Sequence, residues 1–373
     1  MEKKRLGLYV HIPFCKRKCY YCDFVSYDNC INREDEYIES LLLEIEKRAN
    51  KEKYFVDTIY FGGGTPSIIK PENIKKVLDK IYESFDVLNN AEITLEANPG
   101  TVNKEKLEKY LNYGINRLSI GLQSTNNDVL KLVGRIHTYE EFLDAYNSAL
   151  EVGFNNINVD LMLALPSQSI EILNDSLEKV IALNPKHISL YSLILEEGTP
   201  LYNKVMNKEL SLPDEETERK MYWTTKKLLE ENGYIHYEIS NFAKEGFYSN
   251  HNTNCWKQEE YMGFGAAAHS FIDNKRFSNS ENLNEYIKGN KTTLNEELNQ
   301  EDLEKEHIML SLRMIKGLDI NDFNLKFNTN FEEKYKDIIQ KLKEENLVEI
   351  DNGRFHLSDK GLDYANVVFE EFI

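Results

Sequence analysis

Along the first 200 residues the apolar positions follow two alternating rhythms. Short runs rich in β-branched and other apolar side chains, at 6–12, 57–61, 92–97, 117–121, 158–163 and 187–193, predict strands. Between them, stretches at 33–50, 71–84, 104–113, 139–152 and 170–183 repeat apolar residues three or four apart, which predicts amphipathic helices. Strands alternating with helices build βα units on a parallel sheet, so the chain is expected to be an α/β protein whose six units form an open or partial barrel. Loops after the C-terminal strand ends assemble the sites of such folds, and the unusual residues of this chain cluster there.

The pattern changes after residue 200. A charged helix is expected over 213–231, followed by Tyr234-Ile-His-Tyr-Glu-Ile-Ser-Asn-Phe242 and Gly263-Phe-Gly-Ala-Ala-Ala-His-Ser270. This region, 201–295, is expected to cover the open side of the barrel core formed by 1–200. An acidic, Asn-rich run at 294–306 reads as a linker into a helix. Helices near 301–314, 331–345 and 358–372 around a short hairpin at 347–357 then predict a small winged-helix-like α+β domain over 296–373. No internal repeat or long low-complexity segment is visible.

Composition narrows the classes of function. The chain has 373 residues, 41% hydrophobic and 29% charged, enough for a sizeable core. A formal charge of −18 opposes a phosphate-binding surface, so nucleic acid is not an expected partner. No apolar run approaches the roughly 20 residues needed to cross a bilayer, and Met1-Glu2-Lys3-Lys4-Arg5 leads into a strand pattern rather than a signal-peptide core. A cytoplasmic location is expected, with peripheral membrane contact left open. Five cysteines in so long a chain do not make a disulfide framework, and three of them crowd into eight residues. Cys30 and Cys255 stand apart and read as small buried residues.

Those three, in Tyr9-Val-His-Ile-Pro-Phe-Cys15-Lys-Arg-Lys-Cys19-Tyr-Tyr-Cys22, place three soft thiolates on one loop, within reach of three irons of a cubane. Ferredoxin-type sites normally provide four cysteines, so the fourth iron is left for a distant or an exogenous ligand. Zinc is the alternative, although CxxxCxxC lacks the paired spacing of structural zinc modules. Phe61-Gly62-Gly63-Gly64-Thr65-Pro66 follows the second strand, where missing Cβ atoms allow close backbone approach. Glu96, in Thr94-Leu-Glu-Ala-Asn-Pro99, is a carboxylate on an otherwise apolar stretch. Gln123, Arg135 and Asp160 continue a polar set over the next units.

The cysteine spacing, glycine turn and polar set together resemble the radical-SAM superfamily. More closely, they are similar to the branch containing the oxygen-independent coproporphyrinogen III oxidases and the HemW haem chaperones, and the resemblance covers nearly the whole chain. It implies a partial (β/α)6 radical-SAM barrel holding a [4Fe–4S] cluster on Cys15, Cys19 and Cys22. It also implies a pocket for S-adenosylmethionine (SAM) lined by Tyr9, Gly63, Gly64, Thr65, Glu96, Gln123, Arg135 and Asp160, with the amino and carboxylate groups of SAM on the open iron. Tyr9 reads equally well as a core aromatic.

Decarboxylating members carry another cysteine two residues beyond the third ligand and an extra N-terminal segment. Here Phe24 occupies the first position and fourteen residues precede Cys15. Both departures resemble the HemW chaperones, which implies haem binding and delivery to haem-accepting proteins rather than porphyrinogen decarboxylation. The rival expectation is an oxidase or another radical enzyme acting on a tetrapyrrole. A flavodoxin- or ferredoxin-type donor is expected if SAM is cleaved, and homodimerisation is left open. HemW proteins carry an HNxxYW motif; this chain has His251-Asn252-Thr253-Asn254-Cys255-Trp256, with Cys in place of Tyr. His251 is thus either a haem ligand or part of a loop over the barrel mouth, and Cys255 is a second possible axial ligand. His11 and His269 read as packing residues.

Overall fold

The computed structural model describes residues 3–290 and 292–372. Six strands, β1 (Lys4–Ile12), β2 (Tyr54–Gly63), β3 (Asp86–Ala97), β4 (Arg117–Gln123), β5 (Asn156–Leu163) and β6 (His187–Ser192), lie side by side in chain order and parallel. The helices α1 (Glu34–Lys47), α2 (Pro71–Ser84), α3 (Lys104–Asn112), α4 (Asn127–Leu132), α5 (Tyr139–Val152) and α6 (Ile170–Leu183) connect them. Their ends follow local chemistry. Thr138 and Glu141 form a capping box on α5, which stops at Gly153 with φ 113°, while Ser169 caps α6 and Asn184 ends it in the left-handed region. The short α4, capped by Asn126, was not expected, because six residues are too few to show a helical period.

Alternate residues of each strand face opposite sides. Leu6, Leu8, Val10 and Ile12, with Val56, Ile59, Phe61, Leu95, Leu118, Ile120, Val159 and Leu161, are buried in one large apolar core that includes the helices. The opposite faces are polar: Thr58, Glu92, Thr94, Arg117, Ser119, Asn158, His187 and Ser189 are buried there. Glu96 therefore continues an inward-facing polar row instead of interrupting an apolar stretch.

The region after residue 200 departs from expectation. It contains α7 (Pro200–Met206), α8 (Glu215–Glu231), β7 (Ile235–Glu238), β8 (Asn241–Ala243), α9 (Asn250–Trp256), β9 (Tyr261–Phe264), β10 (His269–Ile272), β11 (Lys275–Asn279), α10 (Leu283–Ile287) and β12 (Thr292–Glu297). The sheet runs β12-β11-β10-β9-β1-β2-β3-β4-β5-β6-β8-β7, so this region extends both edges of the parallel sheet. The six expected parallel strands are all present, and β9 pairs parallel with β1 as a seventh. The stretch expected as a linker is in part β12, an exposed edge strand whose polar sequence hid it.

The remaining chain has the order α11 (Gln300–Ser311), β13 (Leu318–Asp319), α12 (Ile320–Phe327), α13 (Phe331–Lys334), α14 (Lys336–Glu344), β14 (Val348–Asp351), β15 (Arg354–Leu357), α15 (Asp359–Asp363) and α16 (Ala365–Glu370). β13 and β14 flank β15 in a small antiparallel sheet, a winged-helix-like arrangement. Ile308, Phe323, Phe331, Leu342, Phe355 and Phe372 form its separate core.

Candidate functional site

The cysteine loop leaves β1 and is fastened to the glycine turn that leaves β2. Gly64 N donates to Ile12 O at 2.9 Å and Thr65 N to Phe14 O at 2.8 Å. Gly63 has φ 111°, and a Cβ there would stand 2.6 Å from the His11 ring; one on Gly64 would meet Phe14 O at 2.7 Å and Cys15 Sγ at 3.0 Å. The room these glycines create is thus taken by the protein's own cysteine loop and His11. His11 is buried as expected: its Nε2 donates to Val25 O at 2.9 Å, so its Nδ1 accepts from the Tyr9 hydroxyl at 3.1 Å.

A cavity of about 520 Å³ opens at these strand ends, and Cys15, Cys19, Cys22, Gly63, Gly64, Thr65, Glu96, Gln123, Arg135 and Asp160 all line it. Arg135 reaches into it from the loop after α4. Its Nη1 donates to Cys19 Sγ at 3.6 Å, and its Nη2 to Asn98 Oδ1 at 2.6 Å and to Gly121 O. Asn98 in turn donates to Thr65 Oγ1 at 2.9 Å, and Thr65 donates to Cys15 Sγ at 3.7 Å, so one network touches two of the three cysteines. Gln123 sits at a register shift with φ 70°, a conformation costly outside glycine.

Glu96 and Asp160 are half-buried on the cavity wall. Burial, reinforced by Asp160, pushes the Glu96 carboxyl up to about 7, against the Tyr60 hydroxyl that donates to Oε1 at 2.7 Å. Asp160 is also raised by burial, although Asn158 Nδ2 donates to it at 2.7 Å. Burial likewise raises the Cys15 thiol and pushes Cys22 up to about 11.

Two expected residues lie elsewhere. Tyr9 is absent from the cavity wall and instead stacks behind Tyr60, with centroids 6.2 Å apart. His251 is only 7% exposed and lies toward the N-terminal ends of the strands, not over the mouth. Its N–H donates to Glu92 Oε1 at 3.1 Å, and Asn254, on the same helix, donates to Asp57 at 3.2 Å. Burial pushes the Cys255 thiol up to about 12, which opposes a thiolate ligand at neutral pH. His269 is exposed on β10, contrary to the packing expected of it. Tyr60, Asn98, Ser119 and Tyr191 were missed although they line the cavity. Period-two spacing from Gly62, Glu96 and Gly121 was the available signal for the first three. A larger cavity of about 750 Å³, beside Lys4, Gln258 and Lys326, contains none of the expected residues.

Residues 9–180 match the Radical SAM superfamily and 298–364 the HemN C-terminal domain. The heme chaperone HemW of Lactococcus lactis is 38% identical over 100% of this chain and 98% of its own length. The chain belongs to the HemW family. HemW of Bacillus subtilis is 35% identical, with 98% of each chain covered. The structure of Escherichia coli coproporphyrinogen III oxidase (HemN), described as a radical SAM enzyme, matches this HemW-family chain with a TM-score of 0.86 at 25% identity, over 99% of this chain and 90% of that one.

Membership of the HemW family and the radical SAM superfamily implies a [4Fe–4S] cluster and SAM. The donor set suits that implication, since three thiols share one cavity and the Arg135 guanidinium offsets thiolate charge at Cys19. Buried Gln123 Oε1 and Arg135 Nε also have no hydrogen-bond partner among the described residues. No helix among those residues is long and apolar enough to cross a membrane.

Proposed function

We propose that this HemW-family chain binds haem together with a [4Fe–4S] cluster and SAM and passes the haem to acceptor proteins, without decarboxylating coproporphyrinogen III. Cys15, Cys19 and Cys22 would hold the cluster. Gly63, Gly64, Thr65, Glu96, Gln123, Arg135 and Asp160 would surround SAM, with Tyr9 supporting Tyr60 from behind. A bound cluster would supply the one-electron reduction on which SAM cleavage in the superfamily rests, so a flavodoxin- or ferredoxin-type donor belongs to this reading if cleavage operates. A cytoplasmic location is part of the same reading.

The observation that carries the chaperone reading is Phe24. It stands where the sequence resemblance puts a further cysteine in the decarboxylating enzymes, and it is 66% exposed on the cavity rim. Ile194, 69% exposed, and Tyr191 share the rim, and Arg17 and Lys18 lie on the Phe24 loop together with Asp23, with Glu196 beyond Ile194. An apolar rim with cations beside it suits a flat macrocycle bearing carboxylates, and Phe24 offers no thiol for proton or hydrogen-atom transfer.

The deciding experiment uses anaerobic, cluster-loaded protein. A Soret titration should show stoichiometric haem binding, while mass spectrometry after incubation with coproporphyrinogen III, SAM and a reductant should show no product. Multiple-turnover formation of protoporphyrinogen would instead establish the oxidase, the reading favoured by the likeness to HemN.

A further inference from the structure

We infer that His251 is a positioning residue for the SAM pocket, holding Glu96 in place through the ring of Tyr60. The inference rests on the reading of Glu96 and Asp160 as walls of that pocket. The Tyr60 ring packs against two others, 6.2 Å and 22° from Tyr9 and 5.1 Å and 26° from His251. Its hydroxyl is the only side-chain donor to Glu96 among the described residues. With the Gly63 N–H as its backbone partner, that carboxylate takes its side-chain anchorage from where the ring sits.

His251 is itself fixed. Its Nδ1 shares a hydrogen bond of 3.0 Å with the Thr58 hydroxyl, and the Glu92 carboxylate accepts from the N–H groups of both Asn250 and His251 at 3.1 Å. The imidazole also faces Gly7, whose missing Cβ would come within 3.6 Å of it. Truncating His251 opens space beneath Tyr60, and a ring that settles into that space carries its hydroxyl away from Glu96.

A second, independent path leads to the same helix. Asn158 donates to Asp160 at 2.7 Å and accepts from His187 Nδ1 at 2.6 Å. His187 Nε2 then accepts from the Tyr237 hydroxyl at 2.7 Å, and that hydroxyl accepts from Ser249 N at 3.2 Å. Ser249 caps α9, the helix that bears His251. Glu96 and Asp160 are thus both tied through buried groups to one short helix at the far end of the strands. This places His251 in the support of the cofactor pocket rather than at a haem iron.

The test uses the full, cluster-loaded chain, with SAM affinity measured by equilibrium dialysis and folding checked by thermal melting. His251→Ala should weaken SAM binding on the order of tenfold, and His251→Phe, which retains a ring against Tyr60, should restore most of it. In a Tyr60→Phe background, which already lacks the bond to Glu96, His251→Ala should cause little further loss. A Soret titration with haemin should be unchanged in His251→Ala. Wild-type SAM affinity in His251→Ala, or losses that add fully in the Tyr60→Phe background, would overturn the inference. So would loss of haemin binding with SAM affinity intact, because His251 would then be a haem ligand. A wild-type chain that binds no SAM would sink the pocket reading itself and this inference with it.

Discussion

Of the four carboxylates that line the cavity, Glu96 and Asp160 both have their pKa raised by burial. Glu96 is raised to about 7 by burial first and by Asp160 next, while Tyr60, the Gly63 N–H and Arg117 pull the other way. Its ionised fraction therefore falls as the pH drops through about 7. SAM carries a sulfonium charge, so its binding favours ionised Glu96 and releases a proton below that pH. SAM affinity is expected to fall by about tenfold between about pH 8 and about pH 6, while Glu96→Gln should bind more weakly and show a flatter profile. Isothermal titration across that range checks this, and a level wild-type profile would mean that Glu96 does not face the cofactor's positive charge. The importance of Glu96 was visible in the sequence as a carboxylate on a strand. Its pKa was not, because the groups that set it come from other strands.

At the scale of elements, the polar inner faces of β4, β5 and β6 form a connected unit. Asn158 bonds to Ser119, Asp160, His187 and Ser189, and its loss would strand several buried polar groups at once. Asn158→Leu is expected to destabilise the fold by about 2–4 kcal/mol, since each buried donor or acceptor left unmet costs about 1–3 kcal/mol. Denaturant unfolding measures this, and a change within about 0.5 kcal/mol would show that the network repairs itself. The helices α2, α5 and α6 were legible to the residue because periodicity agrees with the caps of α5 and α6 and with Pro71 in the first turn of α2. The edge strand β12 was not. All six of its residues are exposed, so no apolar alternation marks it.

Across the whole molecule, two apolar cores meet along the β7 edge. Ile239 N donates to Arg313 O at 3.0 Å and Ile315 N to Tyr237 O at 3.1 Å, while Asp363 accepts from Trp223 Nε1 at 2.8 Å and pairs with Arg219 at 3.2 Å. The Arg219 end is exposed and contributes little, so Asp363→Ala is expected to cost about 1 kcal/mol, mostly through the indole bond. Hydrogen exchange should quicken within residues 300–372 while SAM affinity holds. Unchanged exchange there would show that the backbone bonds alone hold the small domain.

What the sequence determined by itself was what depends on residue type at short range. Three thiols within eight residues, a triple glycine after a strand, and alternating helix and strand periods mark the ligand loop, the turn and the βα units wherever they fold. The tertiary structure alone decided which of these meet. Tyr60 reaches Glu96 across 36 residues and Thr58 reaches His251 across 193, through sheet register and the return of α9 beneath the barrel. Local patterning carries no record of register between distant strands. His251, which the sequence left open between a haem ligand and a loop residue, is therefore seen buried against Thr58 only once the sheet is assembled.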